Sequence, residues 1–346
     1  MGENRTSDLL AWYDANRRIL PWREDPTPYH VWLSEIMLQQ TRVEAVIGYY
    51  NRFLAALPTI RDLALADEDV YLKLWEGLGY YSRVRNLHRA AVMIEDDYGG
   101  VMPGKSRELL ALPGIGPYTA AAIASIAFGE AVPAVDGNLL RVYARQTLCK
   151  ASLKDPKTKK EATSWYQERI PKDRPGAWNQ ALMDLGATIC LPNGAPHCDL
   201  CPVSDTCRAH LAGCEESVPV PDVKKPRRVE NRTVLILTCG EYVVLKKRPE
   251  KGLLAGLYEF PNIEGSSDLK TFLDAAGLCP VFAGIPLPAA KHVFTHIEWH
   301  MTGIQCEVRV QDTERFEDTG CFLAGRTELD STYSIPSAFS SYRRLV

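Results

Sequence analysis

The chain has 346 residues, of which 46% are hydrophobic, and a formal net charge of −3. It is long enough for two domains that each bury a core, and its weakly acidic balance gives no general nucleic-acid footprint. No run of about 18 apolar residues predicts a membrane span, and Met1–Arg5 lacks the apolar segment of a signal peptide.

Residues 6–212 are predicted to be mainly helical, because apolar residues recur at spacings of three and four. The stretches with this spacing are Leu63–Trp75, Leu87–Ile94, Leu109–Leu112, Ala120–Ala127 and Leu139–Ala144. Arginines in this region are candidates for local phosphate contacts, although a solvated surface explains scattered arginines more simply. They are Arg83, Arg85, Arg89, Arg141 and Arg145.

Two carboxylates in this region are candidates for chemistry. Glu35 lies in Val31–Thr41, a largely apolar helical segment, where burial would raise its pKa and keep it protonated near neutral pH. Asp136 precedes Gly137–Arg141 and could simply cap that helix, just as Glu35 could belong to a structural salt bridge. A protonated acid paired with an ionised aspartate is, however, the arrangement that cleavage of a glycosidic bond needs.

The segment Leu112–Ala120 is predicted to be a tight turn between two helices. Gly114 and Gly116 permit a positive φ, and Pro117 suits the first turn of the following helix. Exposed amides at a helix N-terminus favour an anionic phosphate. The pattern around residues 109–128 resembles a helix–hairpin–helix motif, and an ordinary helix–helix turn is the alternative.

Four of the ten cysteines lie close together, at Cys190, Cys198, Cys201 and Cys207. A large chain without a secretion signal is not typical of a disulfide framework, so the loop 190–207 is predicted to bind a metal centre. A [4Fe–4S] cluster fits four thiolates. Zinc is the rival, with further ligands available from Cys214, His197 and His210, and core cysteines without a metal remain a third alternative.

Residues 214–231 are predicted to be an exposed linker, because three prolines, Pro219, Pro221 and Pro226, cannot sustain a helix. Four basic residues, Lys224, Lys225, Arg227 and Arg228, make the stretch locally positive. A replication or repair factor could bind there, although a solvated tether is the simpler interpretation.

The residues beyond the linker change to the two-residue period of strands. Thr233–Thr238 and Tyr242–Leu245 flank Gly240 and predict a hairpin, and part of Ile304–Val310 alternates apolar and polar residues. The C-terminal third is therefore expected to be mixed α+β.

Several long strings of this sequence, in this order, resemble those of the MutY family of adenine DNA glycosylases. They are Leu20–Arg23, Ser34–Val43, Trp75–Arg83, Leu112–Ala120, Ile123–Gly129, Val135–Asn138, Asn179–Ala187 and the cysteine cluster. The resemblance implies a mainly α helix–hairpin–helix glycosylase domain with an iron–sulfur cluster module at 1–213. A linker at 214–231 and an α+β Nudix-like domain for mismatch recognition at 232–346 would follow.

The resemblance implies a monofunctional enzyme that flips adenine out of duplex DNA and excises it opposite 8-oxoguanine or guanine. Glu35 would be the general acid and Asp136 the carboxylate that stabilises the oxocarbenium-like sugar, with Tyr118 and Asn138 beside them. The implied base pocket consists of Leu20, Trp22, Arg23 and Asp184. Asp184 is shorter than the glutamate of some relatives, which leaves its contact with the base open.

The resemblance also implies where the DNA would be contacted. Gln40, Thr41 and Tyr80 would probe or wedge the duplex beside Gly114 and Gly116 of the hairpin, and Phe294, Thr295 and His296 would read 8-oxoguanine. Thr295 replaces the serine of the family but keeps a hydroxyl. The cysteine ligands depart by one residue, since seven residues rather than six separate the first two, and a loop tolerates such an insertion.

Three alternative functions remain. An endonuclease III-like glycosylase/lyase would need a lysine where Tyr118 stands. A non-catalytic DNA-binding iron–sulfur module would not need both Glu35 and Asp136, and a Nudix hydrolase would need acids that Lys270–Gly277 lacks except at Asp274. We expect a monomer that binds DNA but no membrane, in a bacterial-like cytoplasm in association with the nucleoid.

Overall fold

The computed structural model describes residues 3–221, 226–265 and 269–346, with side chains from Thr6 onward. It divides into two compact units. The first combines the residues through Leu65 with the stretch that begins at Arg85 and includes the cysteine-rich loop. The second combines Ala66–Val84 with the C-terminal residues, so the contiguous range 1–213 expected for the helical domain differs from the observed division.

The first unit is helical, as predicted, and its C-terminal residues add short 3-10 turns around the cysteines. The helices up to the linker are α1 Glu3–Asn16, α2 Pro21–Glu24, α3 Pro28–Leu38, α4 Val43–Ala56, α5 Ile60–Leu65, α6 Glu68–Leu74, α7 Ser82–Tyr98, α8 Ser106–Leu109, α9 Pro117–Phe128, α10 Gly137–Thr147, α11 Pro156–Gln167, α12 Pro175–Thr188 and α13 Arg208–Leu211. Helix α6 and the first residues of α7 belong to the second unit. No helix in the described ranges combines the length and apolarity needed to cross a membrane.

Helix α9 lies at the centre of the first unit because its side chains are small. Seven of its twelve residues are buried, among them a run of alanines from Ala120 to Ala122. Helix α12 approaches it so closely that a Cβ on Gly176 would lie 2.7 Å from the carbonyl oxygen of Ser125. Such an approach requires glycine at this position. It places the start of α12 against the C-terminal half of α9, and Met183 further along α12 then lies 3.9 Å from the hydroxyl of Tyr118 at the start of α9.

Two predicted helical stretches differ from the structure. The apolar stretch Leu63–Trp75 is divided between α5 and α6, since the chain leaves the helix at Ala66 and Asp67 starts a new one. Helix α8 ends at Leu109 rather than continuing to Leu112, because the chain turns there toward the hairpin glycine Gly114, whose φ is 77°.

The second unit contains a mixed sheet of eight strands, counted over the part of the chain that the structure describes. The strands are β1 Arg228–Cys239, β2 Tyr242–Lys247, β3 Tyr258–Glu259, β4 Asn262–Glu264, β5 Leu278–Pro280, β6 Ile285–Val293, β7 Ile297–Val310 and β8 Cys321–Gly325. Strands β1 and β7 are parallel, and the other pairs are antiparallel. The helices here are α14 Leu269–Ala275, α15 Thr313–Asp318 and α16 Ser340–Arg343.

Both faces of this sheet are covered. On β1, Val234 and Ile236 join one apolar cluster while Leu235 and Leu237 join another, because successive side chains of a strand point to opposite faces. The predicted hairpin around Gly240 is observed, with Thr238 opposite Val243. The α+β expectation for the C-terminal third is confirmed.

The segment Ala66–Val84 belongs to the second unit through specific polar contacts. Lys73 Nζ donates to the carbonyl of Tyr333 at 3.1 Å, and Arg343 donates to Glu76 at 2.6 Å. Glu76 also accepts the backbone amide of Ile335 at 3.1 Å. Nothing in the local pattern of the segment indicates these partners, which lie more than 250 residues along the chain.

The predicted linker 214–231 is shorter in the structure. Glu215–Ser217 forms a 3-10 turn, Val218 is fully buried, and β1 already begins at Arg228. The carbonyls of Glu215 and Val218 accept from Arg145 Nε at 3.0 and 2.8 Å, which holds this part of the chain on the helical unit. Lys224 and Lys225 of the basic stretch lie outside the described residues.

Candidate active site

The first unit encloses a cavity of about 520 Å³, within the size range of small-molecule sites. Its walls come from α2, α3, α9 and α12, the starts of α4 and α10, and the loops before α2 and after α3. Nine residues predicted from the sequence line it: Leu20, Trp22, Arg23, Glu35, Gln40, Thr41, Tyr118, Asp136 and Asn138. The structure therefore brings the predicted acid, the aspartate and three of the four predicted base-pocket residues to one site.

Glu35 is the buried acid of this cavity. It is 7% exposed on α3, and the Tyr118 hydroxyl donates to its Oε2 at 2.6 Å. Burial raises the pKa of Glu35 to about 7, with a further rise from Asp136, while the hydrogen bond from Tyr118 and the charge of Arg23 oppose it. A substantial share of the carboxyl is thus protonated at neutral pH and can donate a proton. A salt bridge, the structural alternative for Glu35, is absent among the described contacts.

Asp136 caps α10 and also faces the cavity. Its Oδ1 accepts the backbone amide of Leu139 at 2.8 Å, and its Oδ2 accepts from the Asn138 amide at 2.9 Å. Burial raises the pKa of Asp136 above its usual value, although these hydrogen bonds and the charge of Arg141 act against the rise. The two interpretations of Asp136 are therefore not exclusive, because one carboxylate both starts the helix and borders the site.

Arg141 extends this arrangement away from the cavity. Its guanidinium donates to Asn138 Oδ1 at 2.9 Å and to the carbonyl of Gly186 at 2.6 Å. It also donates to the carbonyl of Cys190 at 2.8 Å. Asn138 is thus held between Asp136 and Arg141, which fixes the aspartate from behind.

Gly186 offers a direct test of that support. A Cβ at this position would lie 2.5 Å from Cβ of Asn138, so Gly186→Ala must displace Asn138 and with it Asp136. We expect the variant to lose about 1–3 kcal/mol of stability through overpacking and to lose catalytic rate. Thermal unfolding measures the first effect. Gly137→Ala, whose Cβ would meet nothing within 4 Å, is the matched control for stability, and an equal loss there would contradict the steric explanation.

Asp184, predicted to lie in the base pocket, lies behind it. The side chain is 1% exposed and does not line the cavity. It accepts from Arg18 Nε at 2.7 Å and from both terminal nitrogens of Arg23 at 2.7 and 3.0 Å. The two arginines, rather than Asp184, face the cavity.

The hairpin has the geometry expected from its glycines. Gly114 has a φ of 77°, and a Cβ there would lie 2.6 Å from Cβ of Asn86. Gly116 precedes α9 in extended conformation, and Pro117 occupies the first helical turn. Both glycines are exposed, so the backbone amides of the turn are accessible to an anion.

Tyr80 and the loop 294–296 belong to the second unit, where the structure places them together. The Tyr80 hydroxyl lies 2.7 Å from Oγ1 of Thr295. Phe294 donates its amide to Ile297 across the turn between β6 and β7 and packs edge-on against Trp299. The carbonyl of His296 accepts the amide of Arg228 at 3.1 Å. Tyr80 itself is 46% exposed and has a φ of 49°.

Sequence reasoning missed several residues that build the cavity. Arg18 and Met183 line it, and Asn179, fully buried, connects α12 to Ser125 and to Ala134 ahead of Asp136. The surface interpretation was wrong for Arg83, Arg141 and Arg145, which are buried and bonded to backbone carbonyls. Asn179 and Met183 could have been found from the sequence only because they lie in Asn179–Ala187, one of the strings that resemble the MutY family.

The four clustered cysteines surround a second, small cavity in the first unit. Cys190, Cys198, Cys201 and Cys207 all line it, together with Arg145, His210 and Glu215. Burial and the neighbouring thiols raise the pKa of Cys201 to about 12, and burial, Glu215 and the other thiols raise that of Cys198 to about 11. Four converging thiols that repel one another as thiolates are a donor set suited to a cationic centre, and Arg145 donates to Cys190 Sγ at 3.2 Å.

The additional zinc ligands considered from the sequence are less available in this cavity than the four cysteines. Cys198, His210 and Glu215 place ligand atoms within 4.8 Å of one another, although His210 Nδ1 and Glu215 already share a hydrogen bond of 2.6 Å. Cys214 and His197, the other ligands considered for zinc, do not line the cavity. The donor set therefore fits a centre held by the four cysteines.

Comparison with known proteins shows the family of the chain. Residues 33–168 match the profile of the HhH-GPD superfamily base excision DNA repair proteins, and residues 232–343 match the NUDIX domain. An adenine DNA glycosylase of Buchnera aphidicola subsp. Acyrthosiphon pisum is 35% identical over 77% of this chain and 76% of its own length. The chain belongs to the adenine DNA glycosylase (MutY) family.

Longer members of the adenine DNA glycosylase family extend beyond the match. The enzymes of Arabidopsis thaliana and Homo sapiens are 38% and 37% identical over 84% of this chain, which aligns with 55% and 64% of their lengths. The chain thus spans between half and two thirds of these relatives.

Solved structures are similar to part of the chain. A thermostable thymine-DNA glycosylase has a TM-score of 0.55 at 29% identity, covering 60% of this chain and 95% of that one. Endonuclease III in a non-covalent DNA complex has a TM-score of 0.52 at 23% identity, covering 60% and 94%, which shows the shared fold. The predicted fold class, a helix–hairpin–helix domain followed by a Nudix-like domain, is confirmed.

Proposed function

We propose that this protein is a monofunctional adenine DNA glycosylase, which hydrolyses the N-glycosidic bond of adenine mispaired with 8-oxoguanine or guanine in duplex DNA. The observation that carries the proposal is the presence of two carboxyl groups on the wall of one cavity, those of Asp136 and of Glu35, whose pKa is raised to about 7 by burial. The two carboxyl groups have different environments, which is how one site runs acid and base chemistry together. Membership of the family supplies the choice of adenine.

In the proposed reaction Glu35 donates its proton to N7 of the flipped adenine. The bond between C1′ and N9 then breaks, and its electron pair leaves with the base. Water adds to C1′ and releases a proton to the Glu35 carboxylate, which restores the acid. Asp136 lies across the cavity as an anion that stabilises the oxocarbenium-like sugar. Tyr118 orients the Glu35 carboxyl through its hydroxyl.

Strand cleavage is not part of the proposed activity. No lysine lines the cavity among the residues that the structure describes, and the α9 residue that bonds to Glu35 is Tyr118. A lyase forms a Schiff base through an amine, which a phenol cannot provide. This separates the proposal from an endonuclease III-like activity, whose fold the chain shares.

Recognition of the base opposite adenine is proposed for the second unit. The loop 294–296 presents a threonine hydroxyl next to that of Tyr80, and both groups can donate and accept hydrogen bonds to a purine edge. The helix that would carry Nudix acids, α14, holds Asp274 as its single carboxylate. The unit is therefore proposed to bind DNA and not to hydrolyse nucleotides, and we expect the protein to act as a monomer.

The test is a single-turnover assay on a duplex with one adenine opposite 8-oxoguanine. Breakage at that adenine only after alkali supports the proposal, and a duplex with adenine opposite thymine is the matched control. Duplexes with damaged pyrimidines and free 8-oxo-dGTP test the two alternative activities in the same protein. An intact adenine in a folded, DNA-bound protein would overturn the proposal and favour a non-catalytic module.

The four cysteines are proposed to hold a [4Fe–4S] cluster, which when bound would connect the two ends of the loop 190–207 through four iron–sulfur bonds and offer a one-electron redox centre. The purified protein should contain about four iron and four sulfide per chain and no stoichiometric zinc. Cys201→Ala should lose most of this metal, whereas Cys214→Ala should keep it, because Cys214 lies outside the cavity. Metal loss in Cys214→Ala, or zinc in place of iron, would contradict the assignment.

A further inference from the structure

Asp184 joins two arginines that face the proposed active site. Besides its bonds to Arg23, its Oδ1 lies 2.6 Å from a terminal nitrogen of Arg18, and the backbone amide of Arg18 donates to Oδ2 at 3.3 Å. Burial acts to raise the pKa of Asp184, but the bonds and charges of Arg23 and Arg18 outweigh it and hold that pKa below its usual value. Asp184 is therefore a buried anion whose hydrogen-bonding capacity is used by the two arginines.

The charges around Glu35 come from few groups. Tyr118 faces it from α9, Asp136 from the start of α10 and Arg23 from α2. Arg18, on the loop before α2, is the remaining charged residue on the cavity wall in the described part of the chain. With Glu35 protonated, two arginines on this wall face one anion, Asp136, and Asp184 behind them brings the local charge to zero.

We propose that Asp184 is a positioning and charge-balancing residue for this reaction, which acts through Arg18 and Arg23 and makes no contact with the base. The inference rests on the proposed function. An unbalanced Arg23 would favour the ionised form of Glu35, which cannot donate a proton. By neutralising Arg23, Asp184 keeps the acid protonated, and by bonding to α2 and the preceding loop it fixes the guanidinium groups in place.

The inference predicts the pH dependence of excision. Because Glu35 acts in its protonated form, the rate should fall as pH rises through the pKa of Glu35, about 7. Asp184→Asn removes a negative charge and should move this fall to lower pH by about one unit, which is typical of a neighbouring charge. The rate below the fall should change much less than the rate at pH 8.

The experiment measures single-turnover excision from pH 5 to 9 on the duplex with adenine opposite 8-oxoguanine. Asp184→Glu, which keeps the charge, should leave the fall near its wild-type position. In Arg18→Gln the rate should fall at the wild-type pH or at a higher pH. The double variant Arg18→Gln/Asp184→Asn restores the charge balance, so the pH at which its rate falls should return toward the wild-type value. If Asp184→Asn alone does not fold, the double variant can be measured in its place. It should fold more readily because Arg18, one of the two arginines that lose their partner, is also neutralised.

The outcomes separate this inference from the proposed function. Excision by the wild-type protein reports on the function, whereas the displacement of the pH profile reports on Asp184. An equal rate loss at every pH in Asp184→Asn would indicate a direct base contact or a purely structural role and would overturn the inference. A fall that stays displaced in the double variant would do the same. A second measurement does not require activity. Thermal unfolding of each protein is followed across the same pH range and compared with the same protein that also carries Glu35→Gln, and the pH dependence of the difference reports the pKa of Glu35.

Discussion

Glu35→Gln should lose adenine excision by roughly 10²–10⁴-fold, the usual contribution of a general acid, and should become more stable than the wild type at pH 8. The loss follows because an amide cannot protonate the leaving base. The gain in stability follows because a neutral amide occupies the same buried position and its oxygen can accept the hydrogen bond from the Tyr118 hydroxyl. Glu35 would thus promote the reaction while lowering the stability of the folded protein at pH 8.

The sign of the stability effect follows from the raised pKa. The folded protein holds Glu35 at a pKa of about 7, above its ordinary value of 4.5, so the unfolded chain loses this proton at lower pH than the folded chain does. Stability from this group is complete below the unfolded value and is lost as pH rises through about 7. The full difference amounts to about 3 kcal/mol, which Glu35→Gln should recover in large part at pH 8 and not at pH 4.5.

Denaturant unfolding of both proteins at several pH values checks this prediction, with single-turnover excision measured on the same samples. Glu161→Gln, an exposed carboxylate on α11, is the control and should show neither effect. If Glu35→Gln retained excision, the acid assignment would fail. If it were less stable at pH 8 while inactive, the burial of a protonated acid would have to be abandoned.

Tyr118→Lys should convert the proposed glycosylase into one that also cuts the strand. Tyr118 occupies the first turn of α9, with its hydroxyl 2.6 Å from Glu35, so an amine in its place would reach the same region of the cavity as the reacting sugar. Attack of the neutral amine on C1′ forms an imine with loss of water, and elimination at the next position then breaks the strand. Burial favours the neutral amine that this step requires.

The expected result is strand breakage without alkali and a covalent protein–DNA adduct trapped by borohydride. Tyr118→Phe is the matched control, because it removes the hydroxyl but adds no amine, and it should give no adduct. Since the phenylalanine also removes a bond that lowers the pKa of Glu35, its excision should persist to somewhat higher pH. A folded lysine variant that still excised adenine and yet gave no adduct would refute the placement of Tyr118 at the sugar.

Features carried by short strings could be predicted from the sequence, and those that depend on distant partners could not. The turn at Gly114 and Gly116 and the cap at Asp136 depend on neighbouring residues, so local rules locate them. The apolar residues on both sides of Glu35 indicated its burial, because a helix that is apolar all round is enclosed by the core. Asp184 shows the limit, since its sequence position gives no sign that Arg18 and Arg23 would approach it from residues more than 160 positions away.

The arginines show the same limit from the other side. Isolated arginines suggest a surface or phosphate contacts, yet Arg141 and Arg145 are buried with backbone carbonyls as their partners. Carbonyls that accept such bonds occur where a helix or loop ends, and these positions are not marked by residue type. The predicted linker is shorter in the structure for a related reason, since prolines exclude a helix but do not show that Val218 is buried.

The membership of Ala66–Val84 in the second unit has a consequence for how the chain can be divided. Asp69 accepts from the Tyr258 hydroxyl at 3.3 Å, and Lys73 and Glu76 bond to the segment around Tyr333 and to Arg343. If the chain were cut at the linker, the C-terminal fragment would contain the sheet but not Ala66–Val84. The N-terminal fragment would contain Ala66–Val84 but not the sheet against which it packs. During synthesis, an early stretch of the chain must therefore wait until the last residues emerge before it reaches its final environment. Fragment complementation, with both pieces present together, is the form in which a divided chain should recover its native state.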